Sequence, residues 1–101
     1  MKAYVQVSPR AEKDFRRLDG PARERMRSLL VDKLKTTSLP QNLDIKPLEG
    51  LAPWFRVRVG EYRVIFRALT AGEIRDVDAT AGWYVARIVD RKDLPKAVKN
   101  L

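Results

Sequence analysis

Between Phe55 and Phe66 apolar and polar positions alternate: Phe55, Val57 and Val59, then Tyr62, Val64 and Phe66, with Arg56, Arg58, Arg63 and Ile65 between them. A period of two over such runs predicts half-buried strands. Gly60-Glu61 joins the two runs, as a two-residue hairpin loop would. That loop fixes the register, with Val59 opposite Tyr62, Arg58 opposite Arg63, Val57 opposite Val64 and Arg56 opposite Ile65. One face then carries Phe55, Val57, Val59, Tyr62, Val64 and Phe66, a core surface. The other carries Trp54, Arg56, Arg58, Arg63, Ile65 and Arg67.

The flanking pattern predicts the remaining elements. Residues 3–7 have the β-branched and aromatic content of a short strand. Ser8-Pro9 reads as an N-cap followed by proline at the first helical position, opening a helix to about Leu18 with Ala11, Phe15 and Leu18 on one face. Asp19-Gly20-Pro21 stops that helix and starts another, running to about Thr36, with Ala22, Met26, Leu29, Leu30, Val31 and Leu34 toward the core. Arg16, Arg17, Arg23, Arg25, Arg27 and Lys33 fall on the opposite, solvated faces. Pro40, Pro47, Gly50 and Pro53 mark residues 37–53 as a loop. Residues 73–78 either extend the sheet or form an excursion. Trp83–Val89 is a strand. Leu94–Leu101 reads as a short helix with Ala97, Val98 and Leu101 against the sheet. The expected fold is α+β: one domain over 1–101, an antiparallel sheet of about four strands packed on an N-terminal helical hairpin, with a short C-terminal helix.

Charge changes the meaning of the second hairpin face. The 101 residues contain 21 Lys and Arg against 13 Asp and Glu, a net charge of +8. Such a balance points to nucleic acid, an acidic protein or an anionic membrane. Arg58 opposite Arg63 is unfavourable for the sheet, and a surface serving only solubility would mix signs. Within the hairpin Glu61 is the single acid. The alternative is that the arginine stems pack on the sheet and acids elsewhere pair with them. Lys46, at the end of the loop, is either a further phosphate contact or simply solvated.

The chain has neither cysteine nor histidine. Disulfides, thiolate chemistry and His-dependent triads or zinc sites are therefore excluded. No apolar stretch approaches the roughly 20 residues of a membrane span, and residues 1–5 lack a signal-peptide block. The expectation is a cytoplasmic protein with no membrane partner.

The element order, Lys46-Pro47-Leu48-Glu49-Gly50, the Phe55–Phe66 hairpin and Val89-Asp90-Arg91-Lys92-Asp93-Leu94 together resemble the RelE/ParE toxin superfamily over nearly the whole chain. In its RelE branch the resemblance implies a ribosome-dependent endoribonuclease that cuts messenger RNA without a metal or other cofactor. Its catalytic basic residues fall on Arg56, Arg58, Arg63 and Arg91. Lys46, Arg67 and Lys92 then become RNA contacts. The implied partners are the ribosome, messenger RNA and a cognate antitoxin.

The chemistry would be attack of a ribose 2′-hydroxyl on the adjacent phosphodiester, with guanidinium groups stabilising the added charge. Arginine is a poor mover of protons because it remains protonated. RelE-like nucleases keep a tyrosine a few residues after the final arginine, whereas here Leu94-Pro95 stands there. Neither Tyr62 nor Tyr84 matches that position. Asp90 is either a base or a salt-bridge partner of Arg91. Two further readings stay open: a ParE-like inhibitor of DNA gyrase, and a non-catalytic domain acting only in complex with its antitoxin.

Overall fold

The computed structural model describes residues 2–34, 43–75 and 77–101. Its strands are β1 (Lys2–Val7), β2 (Asp44–Pro47), β3 (Phe55–Val59), β4 (Tyr62–Ala68) and β5 (Ala79–Asp90). They form one sheet in the order β1-β5-β4-β3-β2. β1 runs parallel to β5 and the remaining pairs are antiparallel.

The sheet thus has five strands and is mixed, where about four antiparallel ones are expected from the sequence. β2 lies inside the proline-rich stretch read as a loop. Its four residues pair from Asp44 opposite Arg58 to Pro47 opposite Phe55. Pro47 stands at the end of this edge strand, where its missing N–H costs no ladder bond. β5 starts at Ala79, four residues before the expected strand. Of the stretch 73–78, the described residues 73–75, 77 and 78 do not extend the sheet, and Ala71–Glu73 is a single 3₁₀ turn.

The β3–β4 register is the expected one at all four predicted pairs. Gly60 has φ +58°, a left-handed conformation that favours glycine and suits the tight turn.

Helix α1 (Pro9–Arg16) is capped by Ser8, whose Oγ accepts from the Ala11 N–H at 3.0 Å and donates to the Ala86 carbonyl at 2.8 Å. Helix α2 (Gly20–Arg27) is capped by Asp19. It then widens into a π-helical stretch, Ser28–Lys33. The Leu34 N–H reaches the Leu29 carbonyl five residues back at 2.9 Å. That five-residue return buries both leucines and leaves Val31 47% exposed, against the expected core position. Thr36, the expected helix end, lies outside the described residues.

Ala11, Met26, Leu29 and Leu34 pack with Val57, Val64, Phe66, Val85 and Ile88 on one face of the sheet. Among the described residues, the helix on the other face is the short α3 (Leu94–Val98). Ala97 packs there on Ile65 and Val89, with Leu94, Val98, Leu48 and Trp54 around them. This explains why Ile65, on the arginine-bearing face by alternation, is fully buried. Leu101 departs from the expected sheet contact and is exposed.

β1 ends at Val7, so among the described residues β5 beyond Val85 has no strand on that side. α1 takes its place. Asp14 accepts from the Ile88 N–H at 3.0 Å and from Arg87 Nε at 2.8 Å. The last residues of β5, which lead to Arg91, are therefore tied to the helical layer. Pairing with Asp14 raises the Arg87 pKa against partial burial.

Candidate anion-binding site

The site forms where the β3–β4 turn meets the end of β5. Alternation places Arg56 and Arg58 on one face of β3 and Arg63 on the same face of β4. Arg58 and Arg63 stand opposite each other. Arg63 folds back along the turn, donating from Nη1 to the Gly60 carbonyl at 3.0 Å and the Tyr62 carbonyl at 2.9 Å. Arg58 extends into solvent, and among the described residues it has no ion-pair partner.

Arg91 arrives from the other side. β5 ends in a turn, Arg91–Asp93, and the Arg91 N–H donates to the Glu61 carbonyl at 2.8 Å. Its Nε lies 3.1 Å from Glu61 Oε2, both side chains being more than 60% exposed. A pair so open to water holds loosely. Arg56 reaches Asp44 in β2 at 3.3 Å, and its Nη1 also donates to the Asp44 carbonyl at 3.1 Å.

The four guanidinium groups feel one another. The Arg63 pKa is pushed below its ordinary value first by burial and then by the positive charges of Arg58, Arg56 and Arg91, with Glu61 opposing them. Arg63 remains a cation, because arginine stays protonated at neutral pH even when perturbed. The cluster is thus under mutual repulsion that a bound anion would relieve.

Lys46 belongs to this face. Sequence puts it in a loop, but it lies on β2 directly opposite Arg56 and is exposed. Lys92, also exposed, sits in the turn after Arg91. Its N–H donates to Asp90 Oδ1 at 3.1 Å, so the Asp90 carboxylate caps this turn.

Arg67 is placed apart. Its Nη1 and Nη2 make a two-pronged pair with Glu73 at 3.0 Å each. The guanidinium also lies over Tyr84 at 4.8 Å and Trp54 at 5.8 Å. The Arg67 bonds, together with the Thr70 N–H, hold the Glu73 carboxyl well down, at about 2. Leu94, where the tyrosine of RelE-like nucleases would be sought, is packed among apolar neighbours of α3.

The sequence reading missed Arg25. Helical periodicity puts it on a solvated face, yet its Nη1 stands 3.2 Å from where a Cβ on Gly60 would be. It reaches the β3–β4 turn from α2 and shares the wall of a shallow cleft with Arg58. Only the packing of α2 against the turn reveals this, and no local sequence pattern announces it.

As an assembly, these groups offer many N–H donors and a positive field on an open surface. They suit a phosphate that gains charge during reaction, because guanidinium groups give paired, fixed donors. They do not suit proton transfer. Among the described residues no group of three or more acidic side chains is placed to hold a metal ion.

Comparison with known proteins places the chain in a family. Residues 5–95 match the family described as the ParE toxin of the type II toxin–antitoxin system parDE. The chain is 36% identical over 70 residues to the putative toxin RelE1 of Methanocaldococcus jannaschii, covering 68% of this chain and 77% of that protein. Its fold is similar to a chain of the RelB–RelE antitoxin–toxin complex of Methanococcus jannaschii, with a TM-score of 0.70 at 22% identity over 92% of this chain and 98% of that one. A chain of the RelBE2 toxin–antitoxin complex of Mycobacterium tuberculosis superposes with a TM-score of 0.65 at 23% identity, over 90% of this chain and 100% of that one.

Proposed function

The chain belongs to the RelE/ParE family of type II toxins, and from that premise we propose that it is a ribosome-dependent endoribonuclease acting on messenger RNA through Arg56, Arg58, Arg63 and Arg91. The observation that carries the proposal is the convergence of these four cations at the β3–β4 turn, close enough for three of them to depress the pKa of the fourth.

In this reading a ribose 2′-oxygen attacks the adjacent phosphorus and the bond from phosphorus to the 5′-oxygen breaks. The products are a 2′,3′-cyclic phosphate and a 5′-hydroxyl. Negative charge builds on the non-bridging oxygens, and Arg58 and Arg63 face it with unspent N–H groups. Arg56 and Arg91, each turned partly toward an acid, flank them. Lys46 and Lys92 extend the positive surface along the RNA strand, and Arg67 contributes at a distance from the cluster. The arginines act on charge. Proton transfer falls to groups outside them, the ribosome being the source this reading assigns.

A cognate antitoxin is the second partner. The structural relatives are antitoxin–toxin complexes, which supports assigning one to this chain. An acidic or amphipathic segment would neutralise the basic face or displace α3.

Inhibition of DNA gyrase is the competing reading, favoured by Leu94-Pro95 in place of a tyrosine. Induced expression followed by mapping of RNA ends separates the two. Wild-type protein should arrest growth with cuts inside translated codons, and Arg63→Ala should abolish the cuts. Arrest with intact transcripts, together with inhibited supercoiling by the purified protein, would replace the nuclease with the gyrase inhibitor.

A further inference from the structure

Ile65 lies between Arg63 and Arg67 on the arginine-bearing face, Val89 stands opposite Arg63 on β5, and Ala97 of α3 packs on both. Beyond them is a cleft of about 360 Å³ whose walls include Trp54, Arg67, Tyr84, Arg10, Arg87 and Asn100. None of the residues lining it is acidic. The neighbouring cleft of about 490 Å³ has Asp14, Asp90 and Asp93 in its wall and so mixes both signs.

The cationic groups of the smaller cleft keep donors in reserve. Arg67 spends both Nη1 hydrogens and one on Nη2 on Glu73 and the Ala68 carbonyl, which leaves Nε and one Nη2 hydrogen. Arg87 spends Nε and one Nη2 hydrogen on Asp14, which leaves Nη1 and the other Nη2 hydrogen. Exposed Arg10 has no ion-pair partner among the described residues. Two aromatic rings complete the wall, Trp54 and Tyr84, with centroids 6.5 Å apart and planes tilted by 58°. Both are half-buried, so their rings are held in place. The Arg67 guanidinium lies over these rings, 4.8 Å from the Tyr84 centroid and 5.8 Å from that of Trp54. Planar rings bordering an open cleft, beside guanidinium groups with donors to spare and with no acidic side chain in the wall, match a nucleotide: a base has a π-face to stack and its phosphate needs donors. An acidic peptide would use the cations but gain nothing from the ring planes.

We propose that this cleft is a nucleobase subsite, taking one base of single-stranded RNA against Tyr84 and Trp54, with the adjoining phosphate on Arg10 and Arg87. The inference rests on reading this face as an RNA-binding surface. Arg63 and Arg67 are four residues apart on β4, a span of about 13 Å at the rise of a strand. One strand of RNA can therefore place a phosphate at the arginine cluster and a base, a few nucleotides away, in the cleft.

The test is a binding titration of the purified full chain with a short single-stranded oligoribonucleotide and with an abasic ribose-phosphate chain of equal length. Tyr84→Leu removes the ring and keeps apolar bulk; it should weaken binding of the base-containing RNA about tenfold, the scale of one lost stacking contact, and leave the abasic chain unaffected. Arg63→Ala should weaken both ligands alike. Arg10→Glu, at an exposed position, should lower RNA affinity in the same sense and serves if Tyr84→Leu does not fold. Wild-type protein that ignores RNA, a folded Tyr84→Leu that binds it normally, or an Arg10→Glu that does so overturns the proposal. So does an acidic peptide whose binding shows the same dependence on Tyr84. The two readings fail separately: Tyr84-dependent binding without message cleavage in cells keeps the subsite and removes the nuclease, and cleavage with normal Tyr84→Leu binding does the reverse.

Discussion

Arg58 and Arg63 face each other across two strands, and a like-charged pair in that position works against the sheet. Among the described residues no acid pairs with both; Arg63 instead turns back onto the Gly60 and Tyr62 carbonyls while Arg58 is exposed. On the proposed function, a surface kept in that state trades stability for binding. Arg58→Gln should therefore leave the urea-unfolding free energy unchanged or raise it by up to about 1 kcal/mol, while the same variant loses message cleavage. A clear loss of stability with cleavage retained would show that Arg58 is a structural residue. This cluster was largely legible in the sequence, because alternation and a two-residue loop determine which side chains share a face. Arg25 and the Asp14–Arg87 pair were not. Their partners are distant in the chain, and each residue looks locally like any charged position on a helix.

At the scale of elements, the least legible strand is β2, whose Asp44–Pro47 run is short, proline-terminated and lacking in alternation. It is a strand because β3 offers an unpaired edge. The parallel pairing of β1 with β5 was hidden for a similar reason, since strand order depends on how the helical layer carries the chain across the sheet. The turn at Ala71–Glu73 is secured to β4 by Arg67 and Glu73, and this latch has a pH signature. The folded-state carboxyl of Glu73 is depressed from 4.5 to about 2. A depressed carboxyl pKa means that the folded state binds fewer protons, so the contribution is complete above about 4.5 and is lost as pH falls toward 2. The stability difference between wild type and Glu73→Gln should accordingly shrink between pH 5 and pH 2 in chemical denaturation. A difference constant over that window would mean that the latch contributes nothing through its charge.

For the whole molecule, the sheet separates two tasks. One face is committed to the helical layer and contains most of the core; the other carries a short helix with a cationic cluster on one side and an aromatic, cationic cleft on the other. A net charge of +8 favours encounter with a polyanion and makes that encounter sensitive to salt. Among the described residues no helix is long and apolar enough to cross a membrane. The central claim is that the arginine cluster stabilises a phosphate undergoing attack by its neighbouring 2′-hydroxyl. Its most direct test is end-group analysis of a defined message on purified translating ribosomes with added protein. The expected result is cleavage that needs the ribosome, leaves a 2′,3′-cyclic phosphate upstream and a 5′-hydroxyl downstream, and disappears with Arg63→Ala. An uncut message, or fragments ending in a plain 3′-hydroxyl, would contradict the account.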